Sequence, residues 1–156
     1  MILTNQHWYG VLAGDVRAFD LFSRHYTFRE RDRSKKNGKR FTAPGEHMIL
    51  MTAGCDALFV WVKEKFRLDA QIGVCCSVFR NESRVLSSQL ILEAELLAWE
   101  KWPGDERLFT FVDAGKTAKR RGKDNPPGQC FIQAGWKECG LSAAKRLVIL
   151  EKMRCI

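Results

Sequence analysis

No apolar run in this sequence approaches the about 20 residues that a helix needs to cross a bilayer. The opening Met1-Ile2-Leu3-Thr4-Asn5 has neither the basic start nor the long apolar stretch of a secretory leader. The expectation is a cytoplasmic protein that does not engage a membrane. Histidines are scarce, three in all, and the six cysteines (Cys55, Cys75, Cys76, Cys130, Cys139 and Cys155) contain no Cys-x-x-Cys pair. Tetrahedral zinc needs clustered ligands, so no metal centre is expected and the cysteines read as reduced thiols, mostly small core residues. Internal repeats, low-complexity tracts and linkers are also missing, and 156 residues at 46% apolar content make a single domain over 1–156. A nucleotide-binding P-loop is lacking too. Ala114-Gly-Lys-Thr117 copies the end of that motif, but Thr110 stands where its first glycine belongs, and the polar Ala118-Lys-Arg-Arg-Gly-Lys-Asp follows instead of an apolar helix.

The chain is organised around Gln71 to Trp102. Gln71-Ile-Gly-Val-Cys-Cys-Ser-Val-Phe79 is a compact apolar run of β-branched and small residues and predicts a buried strand. A polar turn, Arg80-Asn-Glu-Ser-Arg84, leads through Val85-Leu86 to Ser87-Ser88, which open a helix with Leu90, Ile91, Ala94, Leu97 and Ala98 on one face; Pro103-Gly104 close it. A strand feeding a serine-capped helix start points several backbone N–H groups into one small volume, which suits an anion.

Taken in order, Gln6 to Leu12 reads as short and irregular. Asp15 caps a helix running to about Tyr26, with Val16, Phe19, Leu21, Phe22 and Tyr26 as its apolar stripe. Glu46 to Thr52, Asp56 to Lys65 and Gln71 to Phe79 predict an antiparallel meander. Arg107 to Val112, coming after a strand and a helix, predicts a strand parallel to Gln71–Phe79. Asp113 to Gly128 reads as a loop, Gln129 to Ala134 as a short helix stopped at Gly135, and Trp136–Leu141 and Arg146–Glu151 as closing strands. The fold class is α+β (α/β) with a mixed sheet.

The net charge of +8 is concentrated. From Arg24 to Arg40 there are eight Lys/Arg against Glu30 and Asp32, giving +6, and Lys116 to Lys123 holds five Lys/Arg and no acid, giving +5; the rest of the chain therefore sums to 8 − 11 = −3. Two basic loops, 27–44 and 113–128, on a near-neutral body form a polyanion-facing surface, because phosphate neutralisation needs clustered cations. Ordinary solvated loops are the alternative.

The order helix, three-strand meander, phosphate-turn helix, parallel strand, short helix and closing strands resembles the GNAT superfamily of acyl-CoA-dependent N-acyltransferases, firmly from Glu46 to Glu151. That resemblance implies acetyl-CoA or another acyl-CoA as cofactor. It places the family's pyrophosphate turn on Arg84-Val-Leu-Ser87-Ser88-Gln89, with Ser87 and Gln89 standing where the family usually has glycines. It gives the backbone of Ser77, Val78 and Phe79 the pantetheine arm. The family's Tyr-x-x-x-Gly-Phe segment after an Asn corresponds to Asn125-Pro-Pro-Gly-Gln-Cys-Phe131-Ile-Gln-Ala-Gly135-Trp136. Phe131 replaces the tyrosine that protonates the departing thiolate, which leaves three alternatives: the acidic CoA thiol departs as a thiolate at modest cost, or Cys130 or water donates the proton.

Asp113, at the end of the parallel strand, is the expected base, with a turn-capping role as its alternative. Tyr26, with His25, is expected on the acceptor side. The early His-Tyr pair, the serine-bearing turn, the strand ending Val-Asp and the Asn-Pro-Pro-Gly segment are together similar to phage Mom-type proteins, GNAT relatives that modify DNA bases. That similarity implies a nucleic-acid partner, DNA before RNA, held by Arg24, Lys35, Lys36, Lys39, Arg40, Lys119, Arg120 and Arg121. Phe28, Phe41 and Trp136 are candidates for stacking on a base. Acylation of a protein lysine or small amine, and a fold retained for binding without catalysis, are the alternatives.

Overall fold

The alternation in β3, Ala57–Glu64, dictates a sheet covered on both sides. Ala57, Phe59 and Trp61 pack into one cluster and Leu58, Val60 and Val62 into another, all within 2% of full burial. The computed structural model describes residues 3–28, 42–121 and 124–155. Its single sheet has the order β1-β2-β3-β4-β5-β7-β6. The strands are β1 (Trp8–Val11), β2 (Gly45–Thr52), β3, β4 (Val74–Asn81), β5 (Arg107–Val112), β6 (Lys137–Leu141) and β7 (Val148–Met153). All neighbouring pairs are antiparallel except β4 and β5, which are parallel as expected.

Helix α1 (Val16–Ser23) covers one face. Asp15 caps it, its carboxylate accepting from the amides of Arg17 at 2.9 Å and Ala18 at 3.2 Å. Ala18, Phe19, Leu21 and Phe22 are buried, whereas Val16 is exposed and the helix ends before Tyr26. Helices α2 (Ser87–Lys101) and α4 (Gln129–Gln133) cover the other face. Leu90, Ile91, Ala94 and Ala98 of α2 are fully buried. Each large aliphatic side chain among them contributes about 1.5–3 kcal/mol. Two indoles fasten this helix through its carbonyls: Trp8 Nε1 donates to Leu90 O at 2.8 Å and Trp61 Nε1 to Ala94 O at 3.0 Å.

Several expectations are corrected. Trp8–Val11 is not irregular but an edge strand, paired with β2, and the residue before it is anchored by Glu93, whose carboxylate accepts from the His7 amide at 3.0 Å and from His7 Nδ1 at 2.8 Å. The region after β5 is not all loop: α3 (Ala114–Arg121) follows at once. β4 begins at Val74, because Gly73 has φ 118 and a side chain there would collide with the Arg107 carbonyl. Trp136 cannot stack on a base, being 2% exposed and stacked on Trp61 at 6.3 Å; Phe28 packs against Phe19 and Phe22. Phe41 lies outside the described residues. All six cysteines are free thiols. Among the described residues no cluster of three or more metal-ligating side chains occurs, and no helix is long and apolar enough to cross a membrane.

Candidate functional site

β4 and β5 are hydrogen-bonded partners only at Val74–Leu108, Cys75–Phe109 and Cys76–Thr110. Beyond that rung β4 stays with β3 and β5 stays with β7, so the two strands part into a V. A bulge starts the divergence. Val78 pairs with Val60 and Cys76 with Trp61, which leaves Ser77 without an opposite residue. An extra residue of this kind bends its strand and raises the local twist. Thr110, a buried polar residue in a central strand, closes the fork by donating from Oγ1 to Cys76 O at 2.8 Å.

A cavity of about 440 Å³ fills the V. Ser77, Val78, Phe79 and Asn81 line it from β4, and Thr110, Phe111 and Val112 from β5. Leu86 and Ser87 contribute the start of α2, and Gln129, Cys130, Phe131 and Gln133 the face of α4. His25 and Tyr26 close one side, with Thr117 of α3 and Asn125 at the rim.

The turn between β4 and α2 is held by one side chain. Asn81 Nδ2 donates to Val85 O at 2.8 Å and to Ser87 Oγ at 2.9 Å, while its Oδ1 accepts from the Ser83 amide at 2.9 Å and the Ser83 hydroxyl at 2.6 Å. The serine cap expected for α2 is corrected: Leu86 is the capping residue, it makes no side-chain cap bond, and Ser87 is the first helical residue. The first amides of a helix have no partners within it, and here no side chain covers them from the capping position. They carry the positive end of a fifteen-residue helix to the cleft wall. Ser87 Oγ already accepts from Asn81, which leaves its hydroxyl proton to donate.

Tyr26 stands deep in the same cleft. Its hydroxyl donates to Phe111 O at 3.3 Å, and its ring lies 4.5 Å from that of His25. Burial pushes the phenol up to about 12, so it stays protonated at neutral pH. Burial likewise raises the Cys75 thiol to about 12 and the Cys76 thiol well above its ordinary value. Both are inert thiols, not thiolate nucleophiles.

Of the residues singled out from sequence, Ser77, Val78, Phe79, Ser87, Asn125, Phe131 and Tyr26 come together around the cavity. Arg84, Ser88 and Gln89 do not line it; Arg84 is exposed on the turn, and Gln89 Nε2 donates to Glu93 Oε2 at 3.0 Å. Asp113 caps the start of α3 instead of facing the cleft. Its Oδ1 accepts from the Lys116 amide at 3.0 Å, and its carboxylate is not among the groups lining the cavity. Arg24 is engaged within the fold, its guanidinium forked onto Glu82 at 2.7 and 3.0 Å. Lys119, Arg120 and Arg121 lie in α3, and Lys35, Lys36, Lys39 and Arg40 fall outside the described residues. Asn81, Thr110, Gln129 and Gln133 were missed. A polar residue inside an apolar strand was the available signal for Thr110, and an Asn at a strand end the one for Asn81.

No family model matches the chain, and no curated protein matches it. Solved structures do. The spermidine N-acetyltransferase of Vibrio cholerae, in complex with CoA and spermine, is similar over 94% of each chain at 9% identity with a TM-score of 0.53. An acetyltransferase of Thermus thermophilus is similar over 97% of this chain and 99% of its own, at 12% identity with a TM-score of 0.57. The chain has the GNAT acetyltransferase fold. β4, α2, β5 and the short helix α4 stand in the order that the sequence resemblance implied.

Proposed function

We propose that the protein is an acyl-CoA-dependent N-acyltransferase that holds its donor in the V between β4 and β5 and acts on an amine carried by nucleic acid, a base amine before others. The observation that carries the first half is the cleft itself. An apolar slot between two parted strands suits a pantetheine arm, since the bulge at Ser77 frees β4 backbone from ladder pairing. Beside it, the uncapped start of α2 and the Ser87 hydroxyl supply donors for a pyrophosphate. The Vibrio cholerae protein of the same fold is in complex with CoA.

In the reaction the amine nitrogen attacks the thioester carbonyl carbon, the C–N bond forms, the C–S bond breaks, and the proton shed by nitrogen ends on the CoA sulfur. Tyr26, a neutral phenol whose one proton goes to the Phe111 carbonyl, shapes the acceptor side of the cleft and is not a base. Phe131 faces the cleft without a hydroxyl and is 6% exposed, so it contributes shape alone.

Support for a nucleic-acid acceptor comes from where charge is placed. Thr117 lines the cavity, and the helix it belongs to runs on through Lys119, Arg120 and Arg121. A run of Lys and Arg in the sequence of a helix that reaches the cleft suits a phosphate backbone whose base is presented to it. A small polyamine is the second reading, favoured by the spermine bound to the Vibrio cholerae protein.

Isotopically labelled acetyl-CoA incubated with the protein and, separately, with single-stranded DNA, duplex DNA, RNA or spermidine tests both halves. Mass spectrometry of the digested nucleic acid should find the label on a nucleoside. Label on spermidine alone would replace the nucleic-acid reading with the second one.

A further inference from the structure

Glu95 is a carboxylate inside the protein, 3% exposed on α2, where burial raises its pKa and the Lys152 ammonium and Trp136 indole work against that rise. Its two oxygens serve two partners: Oε1 takes Lys152 Nζ at 2.7 Å and Oε2 takes Trp136 Nε1 at 3.3 Å. Lys152, on β7, reaches further and donates from the same Nζ to Ala134 O at 2.7 Å. Gly135, the next residue, has φ 96, a left-handed backbone that favours glycine and turns the chain after Ala134 towards Trp136. One ion pair between α2 and β7 is thereby wrapped around the end of α4, the helix that presents Gln129, Cys130, Phe131 and Gln133 to the cleft.

A second line of contact leaves the same pair. Trp136 meets the edge of Phe131 at 4.9 Å and 68°, and Phe131 meets Phe79 at 5.9 Å and 80°. Phe131 and Phe79 both line the cleft, one from α4 and one from β4, and meet edge to face at its floor. Apolar residues of similar volume often serve stability as well as a buried ion pair or better, so stability by itself gives no reason for placing two charges here. Fixing a geometry does.

We propose that Glu95 and Lys152 are positioning residues for the cleft: their ion pair sets where α4 stands relative to β4, and so sets how the Phe131 ring seats on Phe79 and the shape of the cleft that the two rings line. The consequence for turnover rests on the acyltransferase reading. The geometric half does not.

The test uses the full chain, the variant Glu95→Gln and the double variant Glu95→Gln/Lys152→Met, each measured for thermal midpoint, for kcat and KM with acetyl-CoA, and for backbone amide shifts. Glu95→Gln keeps the side-chain outline but leaves the Lys152 ammonium without its counter-charge, and its midpoint should fall. The double variant removes both charges and should recover to within about 3 °C of wild type. Both variants should nevertheless keep a kcat lowered about tenfold or more, because small displacements of reacting groups are costly. Amides of residues 77–79 and 129–133 should shift in both. Recovery of kcat together with the midpoint in the double variant would overturn the proposal, as would amide shifts confined to the neighbours of residues 95 and 152. If wild type shows no acyl transfer, the acyltransferase reading fails and the amide shifts still decide the positioning role.

Discussion

The Tyr26 hydroxyl donates to the Phe111 carbonyl oxygen across 3.3 Å, from the segment after α1 to the arm of β5 that has left β4. Strand β5 has no partner on its β4 side at that point, so the phenol occupies a place where ladder pairing has ended. The Asp113 amide, two residues along the chain, donates back to the same hydroxyl at 3.5 Å. On the far side, the segment is tied by the fork of Arg24 onto Glu82, at the turn that leads to α2. The placement of Tyr26 is therefore shared between both arms of the cleft.

Tyr26→Phe should cost about 1 kcal/mol at neutral pH, one hydrogen bond, and lower kcat more than acyl-CoA affinity. Its pKa is raised by burial, so the neutral phenol is the form the fold favours. That stabilisation is present below the unfolded value of 10.0 and is lost as pH rises through about 12. Wild type should therefore lose stability between those pH values by a margin that Tyr26→Phe lacks, read by denaturant titration at alkaline pH.

Glu93 makes the opposite prediction. It is fully buried, and burial by itself would raise its pKa, but the Gln6 amide, the Gln89 side chain and the side chain and amide of His7 together hold it below the ordinary carboxylate value. A lowered folded pKa contributes stability that is present above the unfolded value, near 4.5, and is lost as pH falls through the folded one. Glu93→Gln should cost about 2 kcal/mol at neutral pH and flatten the acid limb. Hydrogen exchange should accelerate first at Gln6 and His7, which this carboxylate holds, and then in the strand Trp8–Val11 that they lead into.

How far such features are legible depends on whether their cause is local. Asp15 could be read as a cap because its partners are two and three residues away. β4, α2 and β5 were legible because uninterrupted apolar runs and a 3.6-residue period announce themselves. Glu93 and Glu95 were not, since helical periodicity sends a Glu to solvent unless His7 or Lys152 is known to meet it, 86 and 57 positions away along the chain. Helix α3 was hidden for a related reason: Ala114–Arg121 carries almost no apolar side chains, and its start is set by the Asp113 cap. Arg24 read as a free cation, and only the fold brings Glu82 to it. In the site, Ser77, Val78, Phe79, Ser87 and Phe131 were legible, whereas Arg84, Ser88 and Gln89 lie off the cavity, and Asn81, Thr110, Gln129 and Gln133 needed the topology.

Ser87→Asp places a carboxylate at the first position of α2. Folding should survive, because acidic side chains suit a helix N-terminus. Affinity for CoA should fall by about an order of magnitude or more, about 1.4 kcal/mol, through repulsion of the pyrophosphate. Calorimetry with CoA and with phosphate-free pantetheine checks this, and the pantetheine affinity should stay near its wild-type value.

Binding to nucleic acid should weaken steeply with salt. Four to six phosphate contacts correspond to a loss of about two to three decades between roughly 50 and 200 mM salt. Arg120→Glu together with Arg121→Glu should weaken binding to unrelated sequences alike, because phosphate contacts carry no base information. Arg24→Gln should change nucleic-acid affinity little, since its guanidinium is already engaged by Glu82. Anisotropy titrations across that salt range separate the two outcomes.

Whether the V between β4 and β5 is the proposed acyl-CoA site is decided by an amide-resolved NMR titration of the isotopically labelled protein with acetyl-CoA. The prediction is a saturable set of shifts largest at Ser77, Val78, Phe79, Ser87 and Ser88, the bulged strand and the start of α2. Absence of saturable shifts, or shifts that saturate only at residues far from the parted strands, would contradict it.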